Sequence, residues 1–167
     1  MTFPALDALC TKGISHRFTL RHPEIDVNDE RAEVIQRLEP WHRQQVAEMG
    51  FAPNQLCLAD QVHAKHVAMI DTAPTNPVPN TDGLVTQVPG LVLGIYVADC
   101  GAVFIVDIRT GACGLLHSGK KGSELGITAH ALRLMAERFG SRSEDLHVQV
   151  APCIRQPAYE VDFASQI

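Results

Sequence analysis

The chain has 167 residues, 46% of them apolar, with 14 basic against 19 acidic side chains and a formal net charge of −5. That length suits a single domain able to bury about two thirds of its unfolded surface. The mild acidity, with no basic stripe and no RNP-like aromatic motif, argues against a nucleic-acid partner.

Residues 1–27 show little periodicity; Phe18 and Leu20 suggest a strand, and 22–26 a turn. Asn28 suits the N-cap of a helix that opens on DERAE and continues through Val34, Ile35, Leu38, Trp41, Val46 and Met49. Pro40 should kink or divide that helix, and Gly50 should end it. Strands are expected over 55–59 and 66–70, on either side of a QVH segment. The proline-rich stretch 71–83 reads as a surface loop, followed by strands at 84–86 and 91–97. The apolar runs 103–108 and 112–116, joined by Arg109, Thr110 and Gly111, read as a β-hairpin with a glycine-bearing turn. In that ladder His117 would lie beside Val103, with Cys100 three residues further along. The chain must therefore bend at Cys100 and Gly101 to bring the two together. A helix is expected from a Ser123 cap to Phe139, with Gly140 as its C′ residue and Ile127, Ala131, Leu134, Met135 and Arg138 as its inward stripe, Arg138 snorkelling at the edge. Residues 146–150 alternate as a last strand. The sum is one mixed α/β domain of α+β type.

The longest apolar run, 91–98, is far short of a membrane span, and the N-terminus lacks the charged-then-apolar order of a signal peptide. Five scattered cysteines with no CxxC pair suit a reducing compartment, so the expectation is a cytoplasmic protein with no membrane partner.

His63, Cys100 and His117 stand where apolar runs end, in QVH, ADC and HSG. Two imidazoles and a thiol are the donor set of a zinc ion that keeps an open fourth position. Taken singly, His63 also reads as a strand-end histidine with one hydrogen bond, and Cys100 as an inert buried thiol. Asp99 would fix a histidine tautomer, act as a general base or hydrogen-bond within the core. Gly119, Lys120, Lys121 and Gly122, ahead of a helix start, offer amides, close approach and two ammonium groups to a phosphate; a solvated basic turn is the alternative. Cys113 and Cys153 read as packing residues. The HxE at 22–24 and PC at 152–153 do not complete the zinc nucleobase deaminase signature, because Gln156 stands where its second cysteine belongs.

The series QVH at 61–63, DGLVT at 82–86, VADC at 97–100, HSGKKG at 117–122, APCI at 151–154 and YEV at 159–161 resembles the YfiH, or laccase-domain, family. That family was labelled multicopper polyphenol oxidoreductase and is now regarded as zinc-dependent purine nucleoside phosphorylase with adenosine deaminase activity. The resemblance implies a layered fold of mixed sheets flanked by helices and a zinc site of His63, Cys100 and His117. It implies nucleoside and phosphate as small-molecule partners, with Lys120 and Lys121 steering the phosphate and Tyr159 touching substrate. Its likeness to the deamidase domain of cytotoxic necrotizing factors implies a second reading, a cysteine hydrolase with Cys100 as nucleophile and His117 as base. A non-catalytic zinc-binding domain is a third. A copper laccase fits worst, since none of the eight histidines forms an HxH pair; one copper on two imidazoles and a thiolate would make an electron carrier. The chain departs from the family at HSGKKG, where HAGWRG is usual, at APCI for GPCI, and at Ala102 for a proline. It also ends before the family's further helix and strands and lacks an N-terminal Gly-rich segment.

Overall fold

A computed structural model describes residues 3–159. Five strands form the main sheet in the order β2 (Val67–Met69), β3 (Gly83–Thr86), β6 (Cys113–Ser118), β5 (Gly101–Asp107), β7 (Leu146–Val150). β2 and β3 run parallel, and the other neighbours are antiparallel. A separate parallel pair joins β1 (Leu56–Leu58) to β4 (Val92–Gly94). The helices are α1 (Pro4–Asp7), α2 (Arg31–Glu48), α3 (Lys120–Glu124) and α4 (Ile127–Phe139). This is the mixed α/β architecture expected, and no helix among the described residues is long and apolar enough to cross a membrane.

β5 is covered on both faces, which explains its unbroken apolar run. On one side Val103 and Ile105 pack with Val85 and Leu116 against Ile127, Ala131 and Met135 of α4. On the other, Ala102 and Val106 meet Phe3, Leu6 and Leu9 of the N-terminal segment. A third cluster of Cys57, Ala59, Ile70 and Leu84 ties the β1–β4 pair to the sheet.

Several local expectations shift. No strand forms around Phe18, whose ring instead packs edge-on against Phe3 at 5.9 Å. Asn28 does not cap α2, because its amide group is turned back onto Asp26 Oδ1 at 2.9 Å; the cap is Glu30. α2 passes through Pro40 without division, and Gly50, at φ 87°, follows its end as anticipated. The expected helix from Ser123 is two helices. Gly126 takes a left-handed φ of 73° between α3 and α4, while the Ser123 hydroxyl pairs with Ser118 at 2.9 Å rather than capping. Gly140 ends α4 at φ 65°, and Arg138 lies exposed. The stretch 71–83 is not all surface: Val78 bridges to Ala59, and Thr81 and Asp82 are buried.

The β5–β6 hairpin is closed by Asp107, whose Oδ1 accepts the Arg109 and Thr110 amides at 2.8 and 2.9 Å, with Gly111 at φ 73°. Its register places His117 opposite Ala102, one residue from the expected partner. Burial pushes the Asp107 carboxyl up, but the neighbouring Ser141 hydroxyl and the turn amides outweigh it and hold the group at about 2. A lowered folded pKa stabilises the fold above the unfolded value and is lost as pH falls through the folded one. Asp107→Asn should therefore cost about 1–3 kcal/mol near neutral pH. In denaturant titrations the gap from the parent should narrow from about pH 4 and close near pH 2.

Candidate metal centre

The ligating atoms of His63, Cys100 and His117 lie within 4.8 Å of one another, and no other group of three or more His, Cys, Asp or Glu side chains is so gathered among the described residues. Each comes from a different segment. His117 is on β6 and buried; Cys100 immediately precedes β5 and is half-buried; His63 sits in the loop between β1 and β2 and is exposed. The two imidazoles meet edge to face at 4.8 Å between ring centroids.

His63 is not at the end of a strand. Its φ of 59° is left-handed, a conformation that costs a non-glycine residue roughly 1–3 kcal/mol and must be held by its surroundings. The holder is Asp82, which is fully buried. Its two carboxylate oxygens accept the backbone amides of His63 and Ala64 at 2.8 and 2.7 Å. The same carboxylate accepts Nδ1–H of His117 at 3.0 Å, which fixes that ring's tautomer and leaves Nε2 bare for an electrophile. Asp82 thus occupies the role considered for Asp99, which is exposed beside Cys100 and whose backbone carbonyl accepts from Ile154 N at 3.0 Å.

Gln61 secures the other side of the His63 loop. Its side chain spans the backbone of Tyr96, donating to the carbonyl at 2.5 Å and accepting the amide at 2.8 Å. Its own amide donates to Thr81 O at 2.7 Å. The loop bearing His63 is thereby fastened to the segment that leads to Cys100.

Gly119 is where the third side closes. A Cβ there would stand 2.7 Å from Cys100 Sγ and 3.7 Å from His63 Cδ2, so only glycine lets the thiol occupy this position. Gly122 makes a similar approach, its missing Cβ leaving room for the Ala64 carbonyl at 3.0 Å. The expected loop from Gly119 to Gly122 is the first turn of α3, with Lys120 and Lys121 exposed. Tyr159 is half-exposed, and the remaining YEV residues, Glu160 and Val161, lie outside the described residues.

Burial pushes the Cys100 thiol above its ordinary range, and the Asp99 and Asp82 carboxylates and Cys153 add to that. A sulfur in such surroundings is a poor free nucleophile. Two imidazoles converging on it supply what a cation needs and a thiol hydrolase does not. Tetrahedral donors at about 2.0–2.3 Å from one ion stand about 3.3–3.8 Å apart, so the three donors, within 4.8 Å of one another, would draw together by about an ångström on a metal, and their chemistry fits one.

The model of the family described as multi-copper polyphenol oxidoreductase laccase matches residues 11–166. The chain belongs to this family. A purine nucleoside phosphorylase of Mycobacterium bovis is 32% identical over 118 residues, covering 71% of this chain and 47% of that protein. A purine nucleoside phosphorylase of Deinococcus radiodurans is 31% identical over an alignment covering 99% of this chain and 68% of its own length. The crystal structure of YlmD from Geobacillus stearothermophilus matches with a TM-score of 0.72 at 26% identity, covering 84% of this chain and 53% of that one. That of the YfiH protein of Bacillus licheniformis matches at 0.71 and 28%, covering 83% and 53%. The chain spans about half the length of the Mycobacterium relative and of both solved structures. The residues matched by the family model, 11–166, include His63, Cys100 and His117.

Asp82 and Gln61 were passed over as site residues in the sequence, although both stand inside the motifs DGLVT and QVH. Asp82→Asn would face an N–H with an NH2 group and lose the His117 acceptor. Equilibrium dialysis should show metal affinity weakened about 10–100-fold with the fold retained. Gly119→Ala should lower affinity by displacing the Cys100 thiol, with unchanged thermal unfolding as the control for a local effect.

Proposed function

We propose that this chain carries the metal-bearing part of a zinc-dependent purine nucleoside phosphorylase that also deaminates adenosine, with His63, Cys100 and His117 as ligands. The observation that carries the reading is the convergence of two imidazoles and one thiol within 4.8 Å, in a chain whose relatives are named purine nucleoside phosphorylases. When bound, zinc would supply electrophilic polarisation and a lowered pKa for water.

The chain's own residues divide the remaining work. Asp82 holds His117 in one tautomer and His63 in its left-handed conformation, so the open side of the cluster is preorganised. Lys120 and Lys121, at the start of α3, attract phosphate to that side. Asp99, exposed next to Cys100, is the candidate to exchange a proton with the nucleoside or an attacking water. Phosphorolysis would then join a phosphate oxygen to the ribose C1′ as the purine leaves.

Cys100, His117 and Asp82 would also serve as a nucleophile, base and orienting acid, the order of a cysteine hydrolase. His63 has no part in that scheme, and the raised Cys100 thiol opposes it. Zinc is preferred to copper because a single three-ligand group does not make a multinuclear oxidase centre.

If the lysines hold phosphate, replacing both by alanine should raise the phosphate needed for inosine cleavage about tenfold or more, since charge-assisted bonds contribute roughly 1.5–3 kcal/mol. Zinc content and adenosine deamination should change far less. The measurement is base release against phosphate concentration. A fully zinc-loaded parent that cleaves no purine nucleoside at any phosphate level would instead favour a binding domain.

A further inference from the structure

α2 carries an inward stripe that the fold leaves half covered. Leu38, Trp41, His42, Val46 and Met49 recur at helical spacing, yet only Val46 among them is buried. Leu56 and Leu58 of β1 and residues 92–97 are likewise only half-buried. Between these elements lies a cleft of about 290 Å³. Its floor includes the buried Ala102 and Leu115 of the central strands, and its outer wall is the segment 17–22, where Arg17, Leu20 and Arg21 are exposed. Trp41, the only tryptophan of the chain, lines it with His22 and His42, at ring-centroid distances of 5.3 and 4.8 Å. None of His63, Cys100 and His117 lines this cleft, so its occupancy is independent of the metal reading.

We propose that the cleft binds a small amphipathic anion, a carboxylate with a hydrocarbon chain of about ten carbons, its body on the α2 stripe and its head at Arg21. Charge sets the head. The chain has 19 acidic residues and a net charge of −5, yet the described residues that line the cleft include two arginines and no aspartate or glutamate. Arg17 is engaged by Gln45 and Glu48 at 2.8 Å each, so the charge offered to a ligand is that of Arg21. A neighbouring cleft that shares His42 and Tyr96 is lined by Glu33, Glu39 and Asp71, which would repel such a head.

The polarity gradient and the size set the body. Exposure falls from 64% at Leu20, between the arginines, to 8% at Leu115 and 2% at Ala102. A cavity that is cationic outside and apolar at its floor complements a molecule with an anionic head and a hydrocarbon body. A dry apolar cavity of about 150 Å³ takes benzene, with its six heavy atoms. The 290 Å³ here therefore accommodates about twelve. Decanoate has that number. One turn of helix, about 5.4 Å long and about 10 Å across, already exceeds the volume, so a helix of a second chain does not fit.

The test titrates the full chain with sodium decanoate below its micelle concentration. Trp41 emission should shift to shorter wavelength and saturate, and calorimetry should give one decanoate per chain. Across butyrate, hexanoate, octanoate and decanoate, affinity should rise about threefold to fourfold per methylene, then level off at dodecanoate once the cleft is full. Arg21→Glu should weaken decanoate about tenfold and leave binding of 1-decanol unchanged. A flat Trp41 response overturns the proposal. So does affinity that keeps climbing past decanoate, the mark of adsorption to the surface, or an Arg21→Glu chain that binds decanoate as the parent does. A dimer in light scattering whose Trp41 is screened from iodide and which takes up no decanoate would assign the cleft to a second copy and overturn it as well.

Discussion

One buried carboxylate sets the geometry on which the centre depends. Asp82 is inaccessible to water and accepts two backbone amides from the His63 loop and one imidazole N–H from His117. Three donors satisfy the charge that burial would otherwise make costly. The main chain at Asp82 adds two more ties, donating to His66 O at 2.9 Å and accepting from His117 N at 2.7 Å. Without that acceptor nothing described would hold His63 in its left-handed conformation, and the cluster would lose its exposed member first.

The fold brings the other two ligands together by strand ends. β5 and β6 are adjacent central strands with well-filled faces, so their open end is fixed by packing on both sides. His117 is part of the ladder, and Cys100 immediately precedes it. Gly119 lets the thiol sit over the start of α3, and Gln61 fastens the neighbouring loop to the Tyr96 backbone. His117 on the ladder, Cys100 beside it and an exposed His63 clamped by hydrogen bonds thus form one cluster that reaches the surface.

The alternation and breaks in the sequence made β5, β6 and β7 legible to within about two residues and fixed the end of α4. β5 and β6 stood out because they bury apolar faces, and β7 through its alternation, although Val148 and Val150 face solvent. The gathering of His63, Cys100 and His117 was legible because chemically distinctive residues stood in short motifs beside apolar runs, although His63 lies in the loop between β1 and β2 rather than at a strand end. What stayed hidden was carried by polar contacts over long sequence distances. Asp82 meets His117 across 35 residues, and Gln61 meets Tyr96 across the same interval. No local period announces such pairs. The one-residue error in the hairpin arose because Asp107 pairs with Ala112 and encloses a longer turn than Arg109, Thr110 and Gly111 alone. The division of the helix at Gly126 was missed because glycine within an apolar periodic stretch costs about 1 kcal/mol and is often tolerated.

X-ray absorption at the zinc edge of the metal-loaded chain would test the central claim most directly. The account predicts two imidazole nitrogens and a single sulfur at about 2.3 Å, with any further ligand a light atom. A shell of nitrogen and oxygen alone would contradict it, because Cys100 would then have no part in holding the ion.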